Sequence, residues 1–315
     1  MKRIEVFSPC YNEIENIRPF YESVKAQFDK IEGYEYSHLF IDNCSTDGTV
    51  EELRKICKED PRVRVILNSR NFGALKSPFY GLTQTTGDAV INMAVDFQDP
   101  PELIPQLIKE WESGFDTVVC VKNKSEESQI IYGLRKVYYK LVKKMSESEH
   151  LTNFTGFGLY SRQFMDVIKT IDDPYPYFRG IVSELASNYK IVYFTQPKRS
   201  GGKSKMNFYR LYDYAMSGFI NQSKVPLRIA SFIGYICAFA SLIIAIITLI
   251  QKLIHWDTFS VGIAAVSVGL FFFASVQLIF IGIIGEYVGA TLAQVRKRPL
   301  VIEKERINFD NEVQN

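Results

Sequence analysis

The chain has 315 residues, room for one sizeable domain and a smaller attachment, and its formal charge of +2 is too near neutral to argue for a nucleic-acid partner. Charged residues make up 23% of the whole, yet residues 229–250 and 258–285 contain none, the composition of lipid-facing segments rather than of a soluble core. Cys10, Cys44, Cys57, Cys120 and Cys237 form no Cys-x-x-Cys pair, which speaks against a zinc site or a disulfide framework and fits a reduced, cytoplasmic setting.

Residues 3–8 read as a first strand, too short and polar for a signal peptide, and a helix follows over roughly 14–28 by its apolar spacing. A second strand over 37–42 ends on Asp42 and runs into Asn43-Cys44-Ser45-Thr46-Asp47-Gly48-Thr49, dense in turn and cap residues. Then come a helix over 49–58, a strand over 63–67, a helix over 73–86, a strand over 89–95 and a helix over 102–113. Strands alternating with helices of this length imply βαβ units around a mostly parallel sheet.

The apolar run 89–95 delivers Asp96, Gln98 and Asp99 to its carboxyl end, where Pro100 and Pro101 stop the strand and start a helix. Open α/β sheets bind ligands at that end. Two carboxylates and an amide, without Cys or His, suit a hard cation such as Mg²⁺ or Mn²⁺ that keeps waters and binds substrate phosphates. The plainer reading is an acidic helix start, with Asp99 as cap and Glu102 at its third position.

Pro9-Cys10-Tyr11-Asn12-Glu13, Asp42 to Thr49, Arg70-Asn71-Phe72-Gly73 and Asp96-Phe97-Gln98-Asp99-Pro100-Pro101-Glu102 resemble, in order, the motifs of family 2 glycosyltransferases of GT-A fold. Within that family the chain is most similar to the polyprenyl-phosphate glycosyltransferases, the dolichol-phosphate mannose synthase and bactoprenol glucosyltransferase group. The resemblance implies a Rossmann-like GT-A catalytic domain and a nucleotide-sugar donor, a UDP-sugar, bound by Pro9, Tyr11, Asn12, Glu13, Asp42, Asn43, Asn71 and Asp96. For Asp42 a turn or cap role stays open, as does an N-cap role for Asn12. The resemblance places the chemistry at Asp96, Gln98 and Asp99, with Asp96 and Gln98 as ligands of Mg²⁺ or Mn²⁺.

Two departures stand out. Ala94 replaces the first Asp of the usual Asp-x-Asp, which implies weaker metal binding and more reliance on the diphosphate. In the stretch Asn153 to Arg162, Gly156 stands where the family carries an Asp proposed as base, and Gly158 replaces an Arg.

Residues 117–121 read as a strand and 131–145 as an amphipathic helix, either packed on the domain or touching a membrane surface. Pro174 to Gly180 resembles the family's loop before a helix under the active site. A strand over 191–195 leads to Lys198-Arg199-Ser200-Gly201-Gly202-Lys203-Ser204-Lys205; its Gly-Lys-Ser resembles the end of a P-loop, but Pro197 holds the place of the first Gly, so ATP binding is rejected. By the resemblance Arg179, Arg199, Lys203 and Lys205 position an acceptor phosphate, although the basic loop also reads as a positive-inside signal.

Residues 207–228 read as an interfacial amphipathic segment, 229–250 and 258–285 as two transmembrane helices, and 286–315 as a cytoplasmic tail whose stretch from Glu303 on is solvated and partly disordered. Basic flanks at both ends of the hairpin put the catalytic domain of residues 1–206 on the cytoplasmic face of a bacterial inner membrane. The tail of the membrane part again resembles the bactoprenol enzymes, which implies a homo-oligomer, a tetramer. The expected reaction is inverting, metal-assisted transfer from a UDP-sugar to undecaprenyl or another polyprenyl phosphate. Two other readings stay open: a glycan-extending membrane glycosyltransferase and, motivated by Ala94, Gly156 and Gly158, a catalytically lapsed nucleotide-sugar-binding protein.

Overall fold

The computed structural model describes residues 1–123, 153–197, 225–254 and 263–309. The chain divides into two compact units, Met1–Tyr212 with Lys297–Asn315, and Asp213–Arg296. Unit one is built from β1 (Lys2–Cys10), α1 (Ile14–Phe28), β2 (Tyr34–Asp42), α2 (Thr49–Glu59), β3 (Val63–Asn68), α3 (Gly73–Thr83), β4 (Ala89–Asn92), a 3₁₀ turn (Pro101–Leu103) and α4 (Ile104–Glu112). It continues with β5 (Thr117–Lys122), β6 (Phe154–Ser161), α5 (Arg162–Lys169), α6 (Phe178–Leu185), β7 (Tyr189–Phe194) and, after the second unit, β8 (Glu303–Ile307).

The strands form one sheet in the order β7-β5-β6-β4-β1-β2-β3-β8. β1, β2, β3 and β4 run parallel; β6 enters antiparallel between β4 and β5, and β8 is antiparallel to β3. The sheet is mixed, and its inner strands are buried on both faces, so their sequences read as largely continuous apolar runs, whereas the edge strands β7 and β8 are partly exposed. Alternation sorts them: Ile4, Val6, Phe40 and Ile91 face the helices α1, α2 and α4, whereas Phe7, Leu39, Ile41 and Val90 face α3, α5 and α6. Parallel neighbours bring the carboxyl ends of β1, β2, β3 and β4 to one edge.

Several segments differ from the sequence expectation; α3 ends at Thr83 rather than at 86. β4 stops at Asn92, three residues early, because the chain turns out of the sheet: Phe97 takes a left-handed φ of 59° and packs edge-on against Phe20 with ring centroids 5.7 Å apart. Residues 303–307, expected as solvated tail, are an edge strand. Leu67 pairs with Glu305 and Val65 with Ile307; Arg54 Nη1 donates to Glu305 Oε1 at 2.7 Å, Tyr80 Oη to Glu303 Oε1 at 2.8 Å, and Phe309 is buried beyond the strand. The expected helix at 131–145, the basic loop at 198–205 and residues 207–222 lie outside the described residues.

Unit two contains α7 (Val225–Ile254) and α8 (Ile263–Arg296), so the last residues expected to be interfacial, 225–228, begin α7. The two helices approach at Gly234, where a Cβ would lie 3.8 Å from the Phe280 ring. Within α8 the stretch Phe272–Arg296 is long and apolar enough to cross a bilayer, and none of it is buried.

Candidate active site

The loops after β1 and β2 are cross-tied. The Asn12 backbone N–H donates to Ser45 Oγ at 2.8 Å, and Asn12 Oδ1 accepts from the Thr46 N–H at 2.8 Å. Asn12 therefore bridges two loops, at φ 55°, and is not the cap of α1. That helix start is satisfied from the other loop instead, the Glu13 N–H donating to Thr49 Oγ1 at 2.9 Å and the Ile14 N–H to Asp47 Oδ2 at 3.3 Å. Pro9, next to last in β1, is half-buried, Tyr11 is exposed, and the Glu13 carboxylate accepts from Asn16 Nδ2 at 2.7 Å.

Asp42 closes β2 at 1% exposure, opposite Cys10 in the register. It accepts from the Ser45 N–H at 2.9 Å and from the Ser45 hydroxyl. Burial raises its carboxyl pKa above the ordinary range, while the Ser45 and Cys44 donors pull it back. Cys10 Sγ lies 3.9 Å from Asp42 Oδ1, and its thiol is pushed well up by burial and then by that carboxylate, so it stays a neutral packing group.

Asn43 joins the third loop. Its Nδ2 donates to Asn71 Oδ1 at 3.1 Å and to the Gly73 carbonyl at 3.2 Å, and its Oδ1 accepts from the Phe72 N–H at 2.9 Å and Asn68 Nδ2 at 3.2 Å. Asn71 also receives the Gly73 N–H at 2.9 Å. Asn43 and Asn71 thus shape the rim of the site, with Asn43 almost fully committed to the fold.

On the other side of β1 the chain leaves β4 through 93–100. Asp99 Oδ2 accepts from the Ala94 N–H at 2.9 Å and closes this turn; the 3₁₀ turn that follows begins at Pro100 without a side-chain cap, so Asp99 is not its N-cap. Asp96 is half-buried and its Oδ1 accepts from the Gln98 N–H at 3.2 Å, which sets both expected metal ligands on one short turn. Asp99 is buried and its pKa rises to about 7, first through loss of water and further through Asp96; Lys122 and Arg179 oppose the rise. Of the expected acceptor cations, Arg179 is the one among the described residues, and its charge acts with that of Lys122 on Asp99.

The two glycines that depart from the family pattern are explained by their surroundings. Gly156 has φ +97°, and its carbonyl accepts from both Asn92 Nδ2 and Tyr160 Oη at 2.8 Å. A Cβ there would lie 3.5 Å from Asn92 Nδ2, 3.7 Å from the Phe178 ring and 3.9 Å from Arg179 Cγ, all ordinary contact distances. At Gly158 a Cβ would stand 2.3 Å from the Val118 carbonyl oxygen, which leaves no space for an arginine side chain. Asn92, Lys122 and Tyr160 were not legible as site residues; the only signal was a polar Asn ending an apolar run.

Among the described residues no group of three His, Cys, Asp or Glu side chains forms a cation cage. One half-exposed carboxylate and an amide on a turn fit a hard cation that takes its other oxygens from water and diphosphate.

A mixed α/β sheet of GT-A type, with a buried acid ending β2 and carboxylates on the turn after β4, has the architecture of a nucleotide-sugar glycosyltransferase. The chain belongs to the glycosyl transferase family 2, whose family model matches residues 5–169. It is 32% identical over 303 residues to the prophage bactoprenol glucosyl transferase homolog of Escherichia coli (strain K12), covering 96% of this chain and 98% of that protein. It is 33% identical to the SfII prophage-derived bactoprenol glucosyl transferase of Shigella flexneri, with 96% and 97% covered. Among solved structures it is similar to the glucosyl-3-phosphoglycerate synthase of Mycobacterium tuberculosis in complex with UDP, at 16% identity, a TM-score of 0.49 and coverage of 69% and 78%.

Proposed function

We propose that this glycosyltransferase moves a sugar from a UDP-sugar to a polyprenyl phosphate at the cytoplasmic face of a bacterial inner membrane, with α7 and α8 as a two-helix anchor. The names of the full-length relatives support the acceptor, and make UDP-glucose the first donor to test. The observation that carries the reading is the turn after β4 that gathers Asp96, Gln98 and Asp99 through the Gln98 and Ala94 N–H groups, with Arg179 beside Gly156: carboxylates and a cation at the carboxyl edge of the sheet suit two phosphates brought together.

In this reading Pro9, Tyr11, Asn12, Glu13, Asp42, Asn43 and Asn71 hold the nucleotide from the rims of β1, β2 and β3. Asp96 and Gln98 would hold Mg²⁺ or Mn²⁺, which supplies neutralising charge to the departing diphosphate. Asp99 fixes the turn through the Ala94 N–H. Arg179, with Arg199, Lys203 and Lys205, pairs with the acceptor phosphate and brings one of its oxygens to the anomeric carbon. That oxygen forms the new bond as the bond to the UDP oxygen breaks, in one inverting displacement. No side-chain base is needed at Gly156, because a phosphate monoester with a second pKa of about 6 arrives ionised at neutral pH. Among the described residues a Cβ built on Gly282, Gly285 or Gly289 of α8 would meet nothing within 4 Å, so these positions offer a close face for a second copy, in keeping with a homo-oligomer.

The test is transfer from labelled UDP-sugars to short polyprenyl phosphate by the detergent-purified full chain, with Mg²⁺, Mn²⁺ or EDTA. Metal-dependent formation of a lipid-linked sugar is expected. Nucleotide-sugar binding without product from any donor would overturn the reading.

A further inference from the structure

We propose that the loop at 172–177, together with Lys76 and Lys297, forms a contact of the catalytic unit with the anionic headgroup surface of the bilayer, Tyr175 resting at headgroup depth. The inference rests on the membrane-spanning reading of α8 given above. Three observations carry it.

The first is chain continuity. The apolar stretch of α8 that is long enough to cross ends at Arg296, and Lys297 is the next residue, so Lys297 sits at the water side of the bilayer. The second is a tie from that point to the loop: Lys297 Nζ lies 3.6 Å from Asp172 Oδ2, with both side chains more than three-quarters exposed. An exposed pair of this kind adds little stability, but it marks where the loop is. The third is the loop's surface. Tyr175 is 38% exposed, and Lys76, reaching from α3, holds its ammonium 4.9 Å from the centre of the Tyr175 ring.

An aromatic ring with a polar tip, flanked by lysines, is the chemistry that settles at a membrane–water interface. The cations of Lys76, Lys297 and Arg298 add attraction for anionic lipid over a Debye length. The loop leads directly into α6 (Phe178–Leu185) and therefore to Arg179, so a contact here would set the distance between the bilayer surface and the acceptor cation. Asp173 accepts the Tyr175 N–H at 2.8 Å, which holds the ring at the loop's outer turn.

The experiment uses the full chain in nanodiscs of phosphatidylcholine and phosphatidylglycerol, in a Trp111→Phe, Trp256→Phe background that removes the two native tryptophans. Three single probes are compared by brominated-lipid quenching: Tyr175→Trp in the loop, Leu278→Trp on exposed α8, and Val167→Trp on exposed α5. Expected are quenching at 278, quenching at 175 that is greater for bromines near the head of the acyl chain than near its tail, and none at 167. Replacing phosphatidylglycerol by phosphatidylcholine, or introducing Lys76→Gln, should reduce the loss of emission at 175. Quenching at 278 with none at 175, or equal quenching at 175 and 167, overturns the loop contact and leaves the anchor standing. An unquenched 278 overturns the membrane-spanning reading itself, and equal quenching at 175 in both lipid compositions removes the role given to anionic headgroups.

Discussion

The two sides of the site use polar residues in opposite ways. On the β1–β2–β3 side they are spent on one another: Asn12 ties two loops, Asp42 holds Ser45, and Asn43 has four partners. On the β4–β6 side the polar groups are charged: Asp99 is buried with its pKa raised to about 7, and Lys122 and Arg179 oppose that rise. In the proposed reaction the interlocked rim would meet the nucleoside, a rigid and repeatable shape, and the charged side would meet the two phosphates.

Breaking the charged side should have the largest effect. Asp96→Asn keeps the size of the side chain and removes the anion, and turnover should fall by about a hundredfold or more with the thermal midpoint almost unchanged. Radiolabelled transfer at saturating donor, paired with a melting curve, checks it; a fall in stability of matching size would make Asp96 a structural residue.

On the prebuilt side the order reverses. Asn43→Ala strands partners from three segments and should cost about 3 kcal/mol of stability, with a higher KM for the UDP-sugar and a much smaller change in kcat. A kcat loss as deep as that of Asp96→Asn would erase the contrast.

The same side should lose stability in acid. His38 in β2 lies buried between Tyr36 Oη at 2.9 Å and Ser8 Oγ at 3.0 Å, and burial lowers its pKa from 6.5 to about 3. The unfolded chain then binds a proton that the folded chain refuses, so its contribution is complete above pH 6.5 and is lost as pH falls toward 3. Between pH 6.5 and 5 the loss should be about 2 kcal/mol, and His38→Gln should flatten that part of the stability profile.

The smallest effect is expected at Gly156. Gly156→Ala meets ordinary contacts but a left-handed backbone, and should cost about 1 kcal/mol while transfer continues. A large loss of activity at unchanged stability would show that the space beside Gly156 is itself occupied during the reaction.

Much of this was legible from residue patterns. α1 has the bounds its apolar spacing predicted, and the alternation of strands and helices gave the sheet edge where Asp42 and Asp96 lie. The resemblance carried by Pro9 to Glu13, Asp42 to Thr49 and Asp96 to Glu102 was enough for the family. What remained hidden depended on partners distant in sequence. Glu303-Lys304-Glu305-Arg306 reads as solvated because nothing in it announces Arg54 and Tyr80, the groups that receive its carboxylates. Likewise β4 ends early because of Phe97 and the Ala94–Asp99 bond, and an apolar run does not encode where its chain will turn.

The edge strand β8 also fixes an order of events during synthesis. Arg54 and Glu305 are separated by 251 residues, and the chain of α7 and α8 is made between them. At roughly 5–20 residues per second, the ribosome delivers β8 no sooner than about ten seconds after α2. Throughout that interval the nascent sheet carries β3 with an open, apolar flank, and its last strand arrives only once both long helices have been translated. Completion of the sheet thus requires that the helical unit has been made, and a chain truncated within that unit leaves β3 as an unpaired edge strand.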